Sequence, residues 1–546
     1  MRRGVSFVCA VALALPVLLA APAVAASGTP ATLRILVTND DGVKAPGIDA
    51  LVQAVRELPN VEVTVAAPAD NQTGAGDRAN PDPGSITATT SNTASGYRAT
   101  AVNGSPADSV VWALRNGTGG RPDVVLSGVN AGENLGITIQ VSGTVGAART
   151  AARHGIRALA VSQGNGNPPD FAAGAAQAVA WVRAHRAELL AARSAPPRDL
   201  VGVDILNVPT CAVGSVRGLV KVPVASAGST GADCASRAPR PNTDVAAFAA
   251  GFATLSETQS SAVCTRMSPA PGTPPTLQDP VLTEVSGVAA SRSHPTVLWV
   301  HNDSGGAPAA YAITPDGKLL GMYPVQGARA VDWEDIAVGP GPKAGVNYLY
   351  LGDIGDDRSN RPSIVVYRVP EPEAAPDGTG TTLTGTETFT LHYPDHPVDA
   401  ESLLVDPRSG DLFVIDKEYT SGVGNVFRVR RRQLVDGADV TMRQVASFTM
   451  SSDDAVSPEG TLPGNIVTGA DVSPDGSLVL VRTYRRVLAF VRPPGASLAA
   501  AFGVDPCYAP QTDEPQGEAV GFSADGKSYF TISEGVHAAI NKFAIH

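Results

Sequence analysis

Oxygen-bearing side chains follow three apolar stretches in the first half of the chain. Asp40 and Asp41 come directly after the apolar run at residues 33–38, Thr73 follows a second run, and Asn130 ends a third. Two carboxylates, a hydroxyl and an amide oxygen make an all-oxygen ligand set, which hard cations such as Mg²⁺ or Mn²⁺ prefer. If the fold brings these side chains together, they predict one divalent-metal site.

A candidate anion site lies a few residues further on. Ser142, Gly143 and Thr144 open a predicted helix, and the open N–H groups at a helix start can hold a phosphate. Each signal also has an ordinary explanation, because Asp-Asp-Gly is usually a turn and a serine before a helix is usually a cap. Their shared position favours a site for a small phosphorylated molecule.

The elements that must position these residues alternate between strand and helix. Strands are predicted at residues 33–38, 61–68, 123–126 and 158–161, and a helix with one apolar face begins near Pro46. This alternation predicts an α/β fold, with an open, mostly parallel, Rossmann-like sheet and helices on both faces. The chemistry of such sheets lies beyond the carboxyl ends of the strands, where the candidate residues are expected.

Several segments resemble the motifs of one known family. In chain order they are Ile35-Leu-Val-Thr-Asn-Asp-Asp-Gly-Val-Lys-Ala-Pro-Gly-Ile48, Asn103-Gly-Ser-Pro-Ala-Asp-Ser109, Ser127-Gly-Val-Asn-Ala-Gly-Glu-Asn-Leu-Gly136, Val141-Ser-Gly-Thr-Val-Gly-Ala-Ala148, Leu206-Asn-Val-Pro209 and Thr243-Asp244 with Ala250-Gly-Phe-Ala-Thr-Leu-Ser256. Together they are similar to SurE, a family of 5′/3′-nucleotidases and acid phosphatases. The resemblance covers roughly residues 33–258.

The resemblance implies a role for each matching residue. The implied ligands of one divalent metal are Asp40, Asp41, Thr73 and Asn130, of which the two aspartates are also catalytic. The implied phosphate-binding residues are Asn134, Ser142, Gly143 and Thr144, with Asn39 beside the metal. The resemblance further implies hydrolysis of nucleoside monophosphates and other phosphate monoesters, and a homodimer formed through exchanged C-terminal segments.

This chain departs from the family pattern around the substrate pocket. Thr73 stands where serine is usual, which keeps the hydroxyl but restricts its rotamer. Val141 replaces a common aromatic residue, Thr150 a common acid and Lys44 a frequent histidine. The metal-binding set is therefore intact and the pocket is altered. A second function class stays open: a catalytically impaired binding or scaffold protein whose second domain holds an extracellular ligand.

A competing motif is Arg153-His-Gly-Ile-Arg157, which resembles the nucleophile segment of histidine acid phosphatases. That family also needs a later His-Asp dipeptide, which this chain lacks. The motif falls at the predicted end of a helix, where Gly155 suits a C-cap. We therefore predict a structural role for His154.

The amino terminus and the cysteines predict export. Residues 1–26 combine Arg2 and Arg3, an apolar run and Ala23-Val-Ala25, which together predict a cleaved secretory signal peptide. No later segment is long enough to suggest a membrane span. The remaining four cysteines predict two disulfides in an oxidising compartment. Of the three connectivities, our hypothesis is Cys211–Cys234 with Cys264–Cys507.

Length and charge set outer limits on the function. A chain of 546 residues is too long for one hydrophobic core. Its formal net charge of −11 argues against binding a nucleic-acid polymer, since that affinity needs clustered lysine and arginine. A small phosphorylated substrate is still compatible, because one metal ion can neutralise its charge locally.

The chain divides at a Pro-rich linker, residues 265–280, between a SurE-like domain at 32–260 and a second domain at 281–546. The second domain repeats short β-rich runs and Asp-Gly turns, which predict a β-propeller of five to seven blades. Acids recur once per repeat, at Glu284, Glu334, Glu401, Asp471 and Glu518. Such acids more often satisfy turn amides. The alternative is a channel site for a cation such as Ca²⁺.

Overall fold

The computed structural model describes residues 31–80, 83–117, 119–196, 198–226, 228, 231–303, 305–373, 380–419, 422–450 and 466–546. The predicted signal peptide, residues 1–26, lies outside these residues. Within them, no helix combines the length and the apolar character that a membrane crossing requires.

A nine-stranded sheet forms the first half of the molecule. Its strands are β1 (Leu33–Thr38), β2 (Val61–Pro68), β3 (Thr87–Asn92), β4 (Arg98–Asn103), β5 (Val124–Ala131), β6 (Ala158–Gln163), β7 (Leu200–Val208), β8 (Leu219–Lys221) and β9 (Ala253–Ser261). In space they run in the order β3-β4-β2-β1-β5-β6-β7-β9-β8. Only β3 with β4 and β7 with β9 are antiparallel pairs. The predicted mostly parallel α/β sheet is confirmed.

Helices cover both faces of this sheet. They are α1 (Pro46–Arg56), α2 (Pro106–Asn116), α3 (Gly143–Arg153), α4 (Phe171–Ala192) and α5 (Asp244–Ala249). Because successive strand side chains point to opposite faces, β1 serves two cores. Leu33, Ile35 and Val37 pack with α1 and α4, whereas Leu36 packs with α2 and α3.

Five β-sheets arranged as blades form the second half. Their strands are β10 (Met267–Pro269), β11 (Val285–Ala290), β12 (Leu298–Asn302), β13 (Ala309–Ile313), β14 (Leu319–Pro324), β15 (Trp333–Pro340), β16 (Asn347–Asp353), β17 (Ile364–Pro370), β18 (Glu387–His392), β19 (Ala400–Val405), β20 (Leu412–Asp416), β21 (Val423–Val429), β22 (Ala438–Thr441), β23 (Arg443–Thr449), β24 (Val467–Val472), β25 (Leu478–Thr483), β26 (Val487–Val491), β27 (Cys507–Ala509), β28 (Gly517–Phe522), β29 (Ser528–Ser533) and β30 (Ile540–Ile545). The innermost strands β11, β15, β19, β24 and β28 contact one another in a closed ring. The predicted propeller is therefore confirmed, with five blades.

The last blade is closed by the two ends of the propeller sequence. Strand β10, which lies within the predicted linker at 265–280, pairs antiparallel with β30. The domain limits drawn from the sequence stay predictions. The structure adds that part of the linker is the outer strand of the fifth blade.

The two halves are joined by covalent and polar contacts. Cys264 and Cys507 form a disulfide between the segment before β10 and β27, and Cys211–Cys234 bridges a loop of the first half, so both hypothesised pairings are confirmed. Arg153, the last residue of α3, donates to Asp505 at 2.8 Å and to the carbonyl of Pro506 at 2.9 Å. The propeller is therefore docked against the end of α3.

Candidate active site

Asp40 and Asp41 lie at the carboxyl end of β1, as expected. The Asp40 side chain is buried, and its Oδ1 accepts a hydrogen bond of 2.6 Å from the hydroxyl of Thr144. Asp41 Oδ2 accepts a hydrogen bond of 3.2 Å from the amide of Ala131, at the end of β5. Two neighbouring parallel strands and the start of α3 therefore meet at this carboxylate pair.

Both carboxyl groups are harder to ionise than an exposed aspartate. Burial, reinforced by the neighbouring charge of Asp41, raises the pKa of Asp40 to about 6, although the hydrogen bond from Thr144 opposes the rise. Burial also raises the pKa of Asp41. A positive charge placed between these two groups would favour their ionised forms.

Helix α3 begins directly against Asp40. Ser142 caps the helix by accepting a hydrogen bond of 3.1 Å from the amide of Val145. A Cβ atom on Gly143 would lie 2.8 Å from Cβ of Asp40, so only glycine fits here without a shift. The hydroxyl of Thr144 is bound to Asp40, so this side chain supports a carboxylate. The amides of the first helical turn have no acceptor within the helix.

Thr73 and Asn39 lie on the loops that flank Asp40. The amide of Gln72 donates to the carbonyl of Asp40 at 2.7 Å, which holds the Thr73 loop beside the carboxylate pair. The side chain of Thr73 is exposed. Asn39 is fully buried and donates to the carbonyl of Gly42 at 3.0 Å, while its Oδ1 has no partner among the described residues.

Asn130 and Asn134 lie at the same edge of the sheet. Asn130 donates through Nδ2 to the carbonyl of Gly132 at 2.7 Å, which leaves its oxygen for another partner. The side chain of Asn134 donates through Nδ2 to Ser162 Oγ at 2.9 Å, and its backbone N–H donates to Asn207 Oδ1 at 2.7 Å. The structure therefore brings the predicted residues to one edge, at the ends of β1, β5, β6 and β7.

Three supporting residues were given no role in the sequence analysis, although Asn207 and Asp244 lie in motifs quoted there. Ser162 and Asn207 hold Asn134, and Asp244 at the start of α5 accepts a hydrogen bond of 2.8 Å from the amide of Gly136. Together they fix the loop that leads from β5 to α3. The position of Ser162 and Asn207 in the sequence could have indicated them, because each is the penultimate residue of a parallel strand whose carboxyl end lies at the site.

The chemistry of this edge fits a hard divalent cation. Two carboxylates with raised pKa values, the amide oxygen of Asn130 and the unpartnered oxygen of Asn39 lie on residues of this edge, and each is a ligand type that Mg²⁺ or Mn²⁺ accepts. Among the described residues, no basic side chain makes an ion pair with Asp40 or Asp41. The pair thus lacks a built-in counter-ion.

The Arg153–Arg157 motif has structural partners. His154 caps the end of α3, and its Nδ1 lies 2.9 Å from the carbonyl of Thr150. Arg153 contacts Asp77 and Asp505 at 2.5 and 2.8 Å. These contacts support the structural role predicted for His154.

A second acidic cluster lines the centre of the propeller. In each blade the second residue of the innermost strand bulges, and these equivalent residues are Ser286, Glu334, Glu401, Thr468 and Glu518. Contacts cross between blades: Ser286 Oγ lies 3.3 Å from Glu334 Oε2, and Thr468 donates to the carbonyl of Glu518. Lys417 forms an ion pair with Glu401.

The alternative, a ring of these five acids around the channel, is wrong at two positions. Glu284 precedes β11 and is exposed, so the bulge position of the first blade belongs to Ser286. Asp471 lies three residues beyond the bulge position, where its carboxylate accepts from the amides of Val472 and Phe522. Asp471 therefore satisfies backbone amides, as predicted for such acids.

One part of this cluster could hold a cation. Asp303, Asp332 and Glu334 each offer a carboxylate oxygen, and the three atoms lie within 4.8 Å of one another. Burial raises the pKa of Asp332 to about 6, and the charge of Asp303 adds to the effect. Burial also raises the pKa of Glu334, helped by Glu401.

Comparison with known proteins concerns the first half. Residues 35–229 match the family model described as Survival protein SurE. A protein named 5′-nucleotidase SurE from Geobacter metallireducens is 39% identical over 180 residues, and one from Methanocella arvoryzae is 41% identical over 181 residues. Each match covers 32% of this chain and 66% of the relative, just under two thirds of its length.

A solved structure matches the same half. The crystal structure of the SurE protein from Aquifex aeolicus is 25% identical and covers 41% of this chain and 92% of that chain, with a TM-score of 0.33.

Proposed function

Because residues 35–229 form a SurE domain, we propose that this protein is a divalent-metal-dependent phosphomonoesterase that hydrolyses nucleoside 5′- and 3′-monophosphates and other phosphate monoesters. The observation that carries the proposal is the pair of the buried Asp40 and the half-buried Asp41. It lies without a basic partner among the described residues, directly against the start of α3. A divalent cation, Mg²⁺ or Mn²⁺, and a phosphate would complete this arrangement.

Each residue has a defined task in the proposed reaction. The carboxylates of Asp40 and Asp41, the amide oxygen of Asn130 and the hydroxyl of Thr73 would hold the cation. When bound, the cation supplies a Lewis acid for a phosphate oxygen and lowers the pKa of a water molecule. Thr144 keeps the Asp40 carboxylate in one orientation through its hydrogen bond.

The phosphate would lie at the start of α3. The first-turn amides of this helix, including that of Gly143, would stabilise negative charge on the phosphoryl oxygens. Ser142 keeps the helix start in place, and Asn134, held by Ser162 and Asn207, would orient the substrate. Leaving Gly143 without a side chain lets the phosphate approach the backbone closely.

Phosphate release from the mature chain tests the proposal. The substrates are a panel of nucleoside 5′- and 3′-monophosphates and p-nitrophenyl phosphate, each with Mn²⁺, Mg²⁺ or EDTA. We expect release that needs metal, disappears in Asp41→Ala and persists in the matched control Glu57→Ala, an exposed acid at the end of α1. Equal release in EDTA would contradict the metal requirement.

The second function class is an impaired enzyme that acts as a binding protein. Val141, 62% exposed beside the start of α3, favours it, because the family commonly has an aromatic residue there. Absence of release with every metal, from a chain that still binds Mn²⁺ at the Asp40–Asp41 pair, would establish this class and contradict the enzyme.

Two further parts of the proposal concern the location and the assembly of the protein. We propose that the protein is exported, which the two disulfides support, and that it acts on small extracellular nucleotides as a homodimer. Detection of the protein in culture medium or cell envelope, cleaved after residue 25 or 26, tests the export. The mass of the purified chain in solution tests the dimer.

We propose that the acids of the propeller channel hold a second cation of the Ca²⁺ type, with Asp303, Asp332 and Glu334 as ligands. Their spacing supports this. Ca²⁺ should raise the thermal unfolding temperature of the wild type and of Asp316→Asn, an exposed turn variant, but not of Asp332→Asn. An equal Ca²⁺ effect on all three would contradict these ligands.

A further inference from the structure

A cavity of about 450 Å³ opens at the amino ends of the parallel strands, away from the Asp40–Asp41 pair. Its lining includes Arg34 at the start of β1, Asp123 just before β5, Arg157 just before β6 and Leu200 at the start of β7. The volume lies within the range of pockets that bind small molecules. No role of the proposed phosphatase uses this edge of the sheet.

Charge is uneven around the cavity. Its lining contains five arginines, Arg34, Arg121, Arg157, Arg193 and Arg198, and two acids, Asp123 and Glu188. The lining thus carries three more positive than negative charges, in a chain whose net charge is −11. An anion in this cavity would offset the excess.

The acids are already occupied by two of the arginines. Arg193 binds both oxygens of Asp123, at 2.9 and 2.5 Å. Arg157 binds Glu188 at 3.2 Å and the buried Asp204 at 2.8 Å. These pairs leave the other lining arginines without strong carboxylate partners from the cavity wall.

Arg121 is one of the weakly compensated arginines of this lining. Its Nη2 donates to the carbonyl of His154, and among the described residues it forms no ion pair with a carboxylate. Burial lowers the pKa of its guanidinium, with no acid to oppose the effect. Arg34 lines the same cavity, and its Nη1 lies 3.2 Å from the position that a Cβ on Gly120, the residue before Arg121, would take. Among the described residues, Arg34 forms its carboxylate ion pair with Glu62, at 3.8 Å.

The remaining wall is apolar and includes Ile156, Leu189, Ala192 and Val201. We propose that this cavity is a binding site for a small organic anion, with its phosphate or carboxylate held by Arg121 and Arg34 and its apolar part against that wall. Guanidinium groups bind such oxyanions through paired, charge-assisted hydrogen bonds. The site is separate from the proposed phosphatase site and requires no turnover.

Calorimetry on the full chain in EDTA tests the site. Phenylphosphonate is the phosphate probe and benzoate is the carboxylate probe. Inorganic phosphate is the probe without an apolar part. EDTA removes metal-dependent binding at the other edge of the sheet. We expect at least one of the two aromatic anions to bind more tightly than inorganic phosphate. Arg121→Gln should weaken that binding about tenfold or more, since it removes a charge-assisted contact. The matched control Arg183→Gln, on the exposed face of α4, should leave it unchanged.

Two further variants keep the test decisive. Ala192→Glu places a carboxylate at the exposed wall beside the arginines and should weaken binding to a similar degree, even where Arg121→Gln fails to fold. Asp40→Asn should bind the anion normally. No binding to the folded wild type, equal binding by Ala192→Glu, or loss of binding in Asp40→Asn would overturn the proposal, whether or not the protein proves to be a phosphatase.

Discussion

The acids at the edge of the first sheet and the acids of the propeller channel differ in how their negative charge is neutralised. Both groups are buried at one end of β-structure, and burial raises the pKa values of both. The channel contains its own cation, because Lys417 is buried against Glu401. The described partners of Asp40 and Asp41 are hydroxyl and amide groups, and none of them carries a charge.

The negative charge of the channel is therefore partly neutralised by a described side chain, whereas that of the Asp40–Asp41 pair is not. The ammonium of Lys417 neutralises part of the negative charge of the channel, although the acids still outnumber it. The Asp40–Asp41 pair has no basic partner among the described residues. We infer that a bound cation matters more to the first site than to the second, and the following variants test that contrast.

Removing the internal cation of the channel should have the largest effect on stability. Lys417→Met leaves Glu401, Glu334 and Glu518 as neighbouring buried acids, and breaking such a pair costs about 3–5 kcal/mol of unfolding free energy. Urea unfolding measures the loss. The exposed control Lys318→Met should change little, and Glu401→Gln in the Lys417→Met background should recover part of the loss. A stable single variant would show that the channel needs no internal cation.

Asp40→Asn should have the next largest effect, on metal affinity. The change removes one charge from the proposed ligand set, and even partners outside the ligand shell contribute about 10–100-fold to metal affinity. We therefore expect at least about 100-fold weaker Mn²⁺ binding by calorimetry, with phosphate release reduced in parallel. Asp70→Asn, an exposed acid on the neighbouring loop, is the control. Unchanged Mn²⁺ affinity in Asp40→Asn would place the metal elsewhere.

The pH dependence of stability tests the comparison at Asp471, a buried propeller acid whose carboxylate accepts hydrogen bonds mainly from amides. Burial raises its pKa from 3.8 to about 6, so the folded state holds the proton more tightly than the unfolded state. Its contribution to stability is fully present below pH 3.8 and is lost as the pH rises to about 6. The unfolding free energy of wild type minus that of Asp471→Asn should fall by about 2 kcal/mol between pH 4 and 7. A difference that is flat across this range would contradict the assignment.

The first site could be predicted because its residues are encoded in short, contiguous motifs. Asp40-Asp41 and Ser142-Gly143-Thr144 each follow a local strand or begin a local helix, and the parallel sheet brings the ends together. The role of Thr144 was not visible in the same way. Whether its hydroxyl contacts a phosphate or Asp40 depends on the distance between α3 and β1, which sequence spacing does not determine.

The sequence predicted the propeller architecture but not which residues occupy equivalent positions in its blades. Its blades differ in loop length, so acids that look equivalent along the chain, such as Glu284 and Glu334, occupy different positions. The hairpin β3–β4 was missed because its strands are rich in threonine, serine and asparagine, and α4 because its alanines weaken the apolar stripe. The contact of Arg153 with Asp505 joins residues 352 apart and has no local signal.

Thr144→Val should have the smallest effect and tests whether Asp40 needs its hydroxyl partner. The variant keeps the shape of the side chain but removes the 2.6 Å hydrogen bond to Asp40 Oδ1. Without it, the carboxylate is less well oriented and its pKa rises further, so Mn²⁺ affinity should fall about tenfold. Thr144→Ser restores the hydroxyl and should restore the affinity, which separates orientation of Asp40 from packing of α3. If valine bound Mn²⁺ as tightly as threonine, the fixed position of β1 and α3 would itself be sufficient to orient Asp40.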